Sequence, residues 1–489
     1  GDKPHKLVPA AIVQPEWLHR FAEGFGPTWR MFDHRDCRFV LINDILFNSG
    51  LPEEAEQEAW LAEVLADAPG RIFLATHYPL FLRAPDEGPL YDNVDEPARG
   101  RILALARKHR VEAIFSGHVH IWLHNRLGRT DLYGIPSTAF VRRDYSEMFR
   151  IGPRAEAGRE DPDKVGWVRV DIHTGGHVCR VMRLGEGTAP DAVSPNGKAG
   201  EWSGLGVSLR HPWCETVELP FNPPTDAFVR KRVRNDYPAL ALYELGLRDL
   251  RVPVEDLTEP NVRDRVALLA EVGFRFTVFT PGLPSAQVLA ALAESELVDT
   301  LEIVLTADGM EATVASAGPV LTGAGVRLQI TPLRPPDPGD AGRAGRHEIR
   351  YGFDPDAAAI AAALRGLSSG SLSLVAGIEV PLCAFDDALH ETLDRLSATH
   401  GIGAAVMLTW RPEDKDDTAT DDATLAREIE RVAAIATARQ GSSVRLFLDT
   451  LMAFDRSYHV RAGLIDRRAN LTTAGRAVQR AALRSRPAP

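Results

Sequence analysis

Short apolar segments alternate with helix-length stretches eight times between residues 204 and 489, and this alternation limits the possible folds more than any other feature. The predicted strands are Gly206–His211, Leu247–Val252, Phe274–Thr280, Thr300–Leu305, Val326–Thr331, Leu372–Glu379, Ala404–Trp410 and Val444–Asp449. The predicted helices are Asp226–Glu244, Glu259–Ala270, Ser285–Ala293, Gly309–Leu321, Asp354–Leu367, Phe385–Thr399, Ala423–Arg439 and Leu471–Leu483. Eight strand–helix units in order predict a closed, parallel, TIM-like (β/α)8 barrel at 204–489.

Residues 1–185 carry a different succession of elements, in which strands and helices alternate first and strands alone follow. The predicted strands are Arg38–Leu46, Arg71–Thr76, Val111–Ser116, Ile121–Arg126, Thr130–Ile135, Gly166–Ile172 and His177–Leu184, and the predicted helices are Glu53–Leu65 and Pro97–His109. An α/β layer followed by β-hairpins predicts an α/β sandwich with the helices outside. Residues 186–203 are rich in Gly, Pro, Ser, Asp and Asn and are the predicted linker between the two domains.

Three histidines follow the ends of two predicted buried strands. His77 comes directly after one strand, and His118 and His120 follow the next, preceded by Gly117, whose lack of a side chain would allow a tight turn. Loops at the carboxyl ends of parallel strands build ligand crevices, and neutral imidazole suits zinc, iron and manganese. A single histidine at a strand end is more often solvated or capped, but the two motifs together predict metal ligands.

These segments resemble the calcineurin-like metallophosphoesterase family over roughly residues 1–185. The matching text is Asp33-His34 through Asn43-Asp44, the His77 segment and the Gly117–His120 run, with support from Phe25-Gly26-Pro27, Phe39-Val40-Leu41, Leu46-Phe47 and Trp60-Leu61. The resemblance implies a site for two divalent ions (Mn, Fe, Zn or similar), with His77 and His118 on the second metal and His120 on the first. The implied reaction is hydrolysis of a phosphate mono- or diester by water that the metals activate.

The chain departs from the family pattern because it lacks the motifs Asp-x-His, Gly-Asp-x-x-Asp and Gly-Asn-His-Asp/Glu. Gly1–Pro4 resembles text that follows the last of these, so we expect an N-terminally truncated domain with an uncovered apolar face; a degenerate, inactive domain is the alternative. No catalytic residue is assigned. Three neutral imidazoles without a bridging carboxylate supply no negative charge, so we expect weak binding of one metal ion at best.

Bulk composition excludes some function classes. The formal net charge is −11 and the arginines are scattered, so no basic patch predicts nucleic-acid binding. A phosphate-ester substrate would therefore need a local positive site, such as bound metal. No apolar run reaches the about 20 residues of a membrane span. The four cysteines lie far apart, which predicts structural thiols and leaves one disulfide open, and nothing in the sequence indicates a compartment.

Polar residues near other strand ends admit two interpretations each. Asn43 and Asp44 could lie in the ligand crevice, or they could cap a turn after the strand. Arg142, Arg143 and Tyr145 could line a phosphate pocket, or they could pack at the surface.

In the barrel, Glu379 and Asp449 end two strands at the face where barrel enzymes place catalysis. Paired carboxylates can hydrolyse glycosides, and His211, Trp213, Arg251 and Trp410 also fall near strand ends. The segment 449–470 loosely resembles the end of some glycoside-hydrolase-like barrels. The alternative function is therefore an inactive phosphoesterase remnant that carries a carbohydrate-binding or glycosidase-like barrel, and a purely accessory barrel also remains open.

Overall fold

The computed structural model describes residues 13–142, 144–149, 161–184, 205–221, 230–334, 350–382, 387–409, 422–439, 442–453 and 463–484. Contacts divide the chain into two compact units. The first contains the described residues of 1–170, 180–190 and 214–240, and the second contains those of 171–179, 191–213 and 241–489. The predicted linker at 186–203 lies outside the described residues and stays a prediction.

The described elements follow one another in a mixed α/β order. The strands are β1 Arg30–His34, β2 Cys37–Leu41, β3 Arg71–Thr76, β4 Ala113–Ser116, β5 Leu123–Leu127, β6 Thr130–Gly134, β7 Gly166–His173, β8 Gly176–Arg183, β9 Leu205–Ser208, β10 Thr216–Glu218, β11 Arg232–Arg234, β12 Asp249–Pro253, β13 Arg275–Pro281, β14 Thr300–Leu305, β15 Arg327–Arg334, β16 Arg350–Tyr351, β17 Gly377–Leu382, β18 Gly403–Leu408 and β19 Val444–Leu448. The helices are α1 Pro15–Phe25, α2 Pro52–Ala66, α3 Ala98–Lys108, α4 Tyr237–Leu245, α5 Glu255–Thr258, α6 Pro260–Glu271, α7 Ala286–Glu294, α8 Met310–Gly323, α9 Ala357–Leu364, α10 Ser369–Leu372, α11 Asp387–His400, α12 Asp422–Ala438 and α13 Thr473–Arg484.

The first unit is built on a six-stranded sheet of order β1-β2-β3-β4-β6-β5. Strands β2, β3, β4 and β6 are parallel, whereas β1 and β5 pair antiparallel at the two edges. The parallel centre brings the carboxyl ends of β3 and β4 side by side, since Thr76 is opposite Ser116. The loops that carry the candidate histidines therefore leave the sheet next to each other.

Successive side chains along a β-strand point to opposite faces of the sheet, and the two faces of this sheet differ. One face joins α2 and α3 in an apolar core that includes Val40, Leu61, Leu74, Ile102 and Ile114. The opposite face carries a row of stacked aromatic rings, with centroids 5.0 Å apart for Phe32–Phe39 and 5.4 Å apart for Phe39–Phe73. Phe32 on the edge strand is 52% exposed.

Two short ribbons complete the strands outside the barrel. Strands β7 and β8 form a two-stranded sheet, as the predicted hairpin pattern requires. Strands β10 and β11 form another, with Val217 opposite Val233. The sequence predicted a helix over 226–244, of which 226–229 lie outside the described residues. The prediction is wrong at 230–236, because the three residues of β11 pair with β10 in extended conformation. Contacts group 214–240 with the first unit, whereas the sequence predicts the barrel from residue 204.

The second unit contains the predicted barrel, and this prediction is confirmed. Eight parallel strands close in the order β9-β12-β13-β14-β15-β17-β18-β19, with β19 pairing back to β9. Phe447, whose ring packs against Gly206 of β9, fills part of the interior with Ala405 and Met407. Arg251, Glu302 and Glu379, on three different barrel strands, are also buried, so the barrel contains charged groups as well as a small apolar cluster.

Cys37, Cys179 and Cys214 are buried, no disulfide joins any two of them, and Cys383 lies outside the described residues. Among the helices that the structure describes, none has the length and apolar character required to cross a bilayer.

Candidate metal centre

The His77 loop is anchored from below by a buried carboxylate. Asp44 accepts a hydrogen bond from Thr76 Oγ1 at 2.6 Å and another, shorter one from the backbone N–H of Tyr78. Burial raises the pKa of Asp44, although these hydrogen bonds act in the opposite direction. Asn43 caps the short helical turn that follows β2, because its side chain accepts from the backbone N–H of Ile45. Asp44 thus supports the histidine loop, and Asn43 caps a turn.

The second histidine loop is strained. His118 and His120 have φ angles of 63° and 59°, in the left-handed region that is unfavourable for residues with a Cβ atom. The turn is held by the backbone N–H of Gly117, which donates to His77 O at 3.0 Å. A Cβ on Gly117 would meet only ordinary contacts near His77, so the expected role of this glycine as the special turn residue is wrong. Strain of this kind is concentrated at functional sites.

His77 and His118 come together with ring nitrogens facing each other. His118 Nδ1 lies 3.2 Å from His77 Nε2. Two nitrogens bound to one ion at about 2.1 Å, with angles of about 90° to 110°, would lie about 3.0 to 3.4 Å apart. The observed separation fits one edge of such a coordination shell, and it also fits a hydrogen bond between the two rings.

The other nitrogen of His118 faces a buried carboxylate. His118 Nε2 lies 3.0 Å from Asp92 Oδ1, and the imidazole ring packs against that of Tyr78 with centroids 3.9 Å apart. Asp92 is fully buried. Burial acts to raise its pKa, but the hydrogen bond from His118 and the charges of Arg142 and Lys231 outweigh burial and hold the pKa well below the usual value. Asp92 is therefore a charged acceptor.

A network of buried charged groups surrounds Asp92. Its Oδ1 also accepts from Arg142 Nη1 at 2.6 Å, and its Oδ2 accepts from Tyr145 O–H at 2.9 Å and from Lys231 Nζ. Tyr145 is fully buried, so the interpretation that it packs at the surface is wrong, and its hydroxyl is bonded to Asp92. Arg142 is committed to carboxylates, and Arg143 lies outside the described residues.

Sequence reasoning missed Asp92 and Lys231. Asp92 lies in a segment without strand or helix periodicity, and Lys231 comes from 139 residues further along the chain. Neither residue has a spacing that a motif could reveal.

His120 is held separately from the other two histidines. Its Nδ1 lies 3.0 Å from the carbonyl oxygen of Phe140, which can only accept, so Nδ1 carries the proton and Nε2 has the free lone pair. Burial lowers the pKa of His120. Across the described residues, no group of three or more His, Cys, Asp or Glu side chains is arranged to hold an ion. The donors present fit a partial site, with one pair of nitrogens aimed at a common point.

Glu379 of β17 is a buried carboxyl group in the barrel. It is fully buried, and neither carboxylate oxygen has a hydrogen-bond partner among the described residues. Burial raises its pKa well above the usual value, with the charge of Glu302 adding to the effect. Gly352, at a φ of 94°, lies directly against the carboxyl group, so that any Cβ there would overlap Glu379 Oε2.

Asp449, the other predicted barrel residue, is ion-paired. Arg210 binds both carboxylate oxygens, with Nη2 at 2.7 Å from Oδ2, and also donates to Tyr351 O–H at 3.0 Å. Arg251 forms a similar two-point pair with Glu302, at 2.7 and 2.8 Å.

The remaining barrel residues are less informative. Trp213 is buried and donates from Nε1 to Asp256 at 2.8 Å. Burial lowers the pKa of His211. Trp410 lies outside the described residues.

A search against models of protein families finds none that matches the chain. The chain is 31% identical over 137 residues to the serine/threonine-protein phosphatase CPPED1 of Danio rerio. That match covers 24% of this chain and 44% of the relative, so the chain spans less than half the length of the curated protein it matches.

Among solved structures, similar chains include a family 39 glycoside hydrolase from Bacteroides cellulosilyticus WH2 (14% identity, TM-score 0.40, 63% of this chain and 66% of that one). Another is a GH5-4 endoglucanase from Clostridium longisporum (12% identity, TM-score 0.35, 59% and 98%). A third is GAP50 of Plasmodium (13% identity, TM-score 0.24, 32% and 50%). At such scores the assignment of the barrel rests on its own strand pairing. The chain is thus similar in part to a phosphatase and contains a (β/α)8 barrel.

Proposed function

We propose that the protein is a metal-dependent phosphoesterase that hydrolyses a phosphate mono- or diester at the His77–His118 centre. The observation that carries the proposal is the 3.2 Å approach of His77 Nε2 and His118 Nδ1 at the ends of two adjacent parallel strands. The partial similarity to a serine/threonine phosphatase supports the same class of reaction.

The residues present would hold a divalent ion in a defined way. His77 Nε2 and His118 Nδ1 would bind one ion, and His120 Nε2 is free to bind a second or to face the substrate. A bound ion supplies a water of lowered pKa and neutralises charge on the phosphoryl oxygens. Because no carboxylate joins the two facing nitrogens among the described residues, we expect weak binding of one ion.

The protein's own residues would orient the site. Asp92 and the carbonyl of Phe140 fix the ring orientations of His118 and His120, and Asp44 fixes the loop that carries His77. Packing of Tyr78 against the ring of His118 excludes water from one of its faces. The contact between His118 Nδ1 and His77 Nε2 is exposed, so a phosphate ester could reach an ion bound there.

The test uses chromogenic phosphate mono- and diesters with Mn²⁺. We expect metal-dependent turnover by the wild-type chain and its loss in His77→Ala and His118→Ala. His19→Ala, which changes an exposed histidine on α1, is the matched control and should keep wild-type turnover. Equal turnover in His118→Ala and the control, or no metal-dependent turnover in the wild type, would reject the proposal.

A second candidate function is binding or cleavage of a carbohydrate by the barrel, and Glu379 favours it. A buried, uncharged carboxylic acid with free hydrogen-bonding capacity can donate a proton to a sugar hydroxyl or a glycosidic oxygen. Asp449 and Glu302 would supply a charged carboxylate nearby, since both act on the pKa of Glu379. We expect the neutral disaccharides cellobiose and xylobiose to raise the melting temperature of the wild type but not of Glu379→Gln. Equal shifts in both proteins, or none in either, would contradict this function.

A further inference from the structure

Which nitrogen of His118 can bind a metal depends on where its single proton lies. A neutral imidazole has one protonated nitrogen and one with a free lone pair, and only the latter is a ligand. Arg142 and Lys231 both contact the carboxylate of Asp92, and a carboxylate paired with two cations accepts hydrogen bonds, so the 3.0 Å contact places the proton on His118 Nε2. The lone pair is then on Nδ1, which is the atom that faces His77 Nε2.

Asp92 cannot turn away from His118 without losing other bonds. Arg142 shares the oxygen that accepts from His118, while Tyr145 and Lys231 occupy the other oxygen. All of these donors reach a fully buried carboxylate, so water does not replace a lost bond. The rotation of the carboxylate is therefore fixed from both sides.

The charges of the network balance. Lys231 Nζ and Arg142 Nη2 each lie 2.9 Å from Asp144 Oδ2, and both also contact Asp92. The two carboxylates and the two cations therefore leave no net charge among these four side chains. Lys231 is itself fully buried, and a buried lysine is costly without such partners.

We infer that Asp92, held by Lys231 and Arg142, is the positioning residue that fixes the metal-binding tautomer of His118. The inference rests on the proposed metal-dependent function and assigns Lys231, far away in sequence, to the same site. Carboxylates behind metal-binding histidines commonly have this role. Asp92 does not touch the ion or the substrate.

The experiment measures the tautomer directly in the full chain. Long-range ¹H–¹⁵N correlation spectra of ¹⁵N-histidine-labelled protein distinguish the two neutral tautomers, and His118→Gln identifies the signal. We expect the Nε2–H form in the metal-free wild type. The double variant Asp92→Asn/Lys231→Met removes the charged acceptor and keeps the charges balanced, so it should populate the Nδ1–H form. Its Zn²⁺ affinity should fall about 10- to 100-fold.

A second His–Asp pair in the same unit provides the control. His124 Nε2 also lies 3.0 Å from a buried carboxylate, that of Asp131, but away from the candidate centre. Asp131→Asn should change the His124 signal and leave both the His118 tautomer and the Zn²⁺ affinity as in the wild type.

The outcomes separate this inference from the proposed function. A wild-type His118 in the Nδ1–H form overturns the inference even if the double variant does not fold. An unchanged tautomer or an unchanged Zn²⁺ affinity in the folded double variant also overturns it. A tautomer that shifts in a chain whose wild type binds no Zn²⁺ supports the role of Asp92 and rejects the metal-dependent function.

Discussion

Replacing Glu379 by glutamine should make the barrel more stable, and increasingly so as the pH rises. Burial raises the pKa of Glu379, so the folded chain keeps this proton at pH values at which the unfolded chain has released it. Ionisation therefore favours the unfolded state from the unfolded pKa of about 4.3 up to the raised folded pKa. Glutamine has no such proton and does not lose stability in this window.

The magnitude follows from the single proton involved. One proton corresponds to about 1.4 kcal/mol of unfolding free energy per pH unit. The advantage of Glu379→Gln over the wild type should grow by about this amount for each pH unit in the window. The absence of hydrogen-bond partners means that glutamine gives up no bond to a described residue.

Native-state hydrogen exchange, read by mass spectrometry on peptides that cover β17 and β18, measures the barrel separately from the first unit. A separate measurement is needed because a chain with two compact units does not have to unfold in one step. Thr450→Val is the control: its hydroxyl donates to Ser208 O at 2.9 Å, and its loss should cost about 0.5–1.5 kcal/mol equally at every pH. Parallel pH curves for the wild type and Glu379→Gln would refute the reasoning.

Three further predictions concern stability and can be measured by denaturant unfolding or exchange. Asp44→Ala removes the acceptor for Thr76 and Tyr78 and should cost about 1–3 kcal/mol, whereas a neutral result would show that the His77 loop does not depend on it. Arg251→Met leaves the buried carboxylate of Glu302 without its ion-pair partner and should cost about 3–5 kcal/mol. The double variant with Glu302→Leu should recover most of this loss, and additive losses would contradict the pairing. Gly206→Ala should cost about 1–3 kcal/mol of unfolding free energy because its methyl group would overlap the ring of Phe447. Gly24→Ala on α1 is the control and should not destabilise the chain, because the space around Gly24 is open. Equal effects of the two substitutions would count against the packing argument.

The elements that the sequence predicts well are those with a strong local pattern. Strand β3 is found at the predicted residues 71–76, and all eight barrel strands overlap their predicted positions. Strand β17 begins at Gly377 and not at the predicted Leu372, which is the last residue of α10. Each of these strands has an apolar run between clear turn or helix signals, so its sequence pattern already indicates the buried position that it occupies in the fold. The edge strand β1 was missed because its residues are exposed, and the hairpin of β10 and β11 was missed because three-residue strands leave almost no period to detect.

The candidate site likewise contains some features that local sequence predicts and others that it does not. The strand-end positions of His77 and His118 follow from local sequence, and parallel pairing of β3 and β4 brings their loops together. The partnership of Asp92 with Lys231 depends on a contact across 139 residues, which no spacing rule reports. The left-handed φ angles of His118 and His120 are imposed by the loop as a whole and contradict the local preference for glycine.

The most direct test of the account is a titration of the full chain with Zn²⁺, with affinity and stoichiometry read by calorimetry. The account predicts one weakly bound ion per chain, lost in both His77→Ala and His118→Ala and retained in His19→Ala. Retention of that ion in the His77→Ala/His118→Ala double variant would contradict the assignment of the site. Two tightly bound ions would contradict the argument from the absent carboxylate.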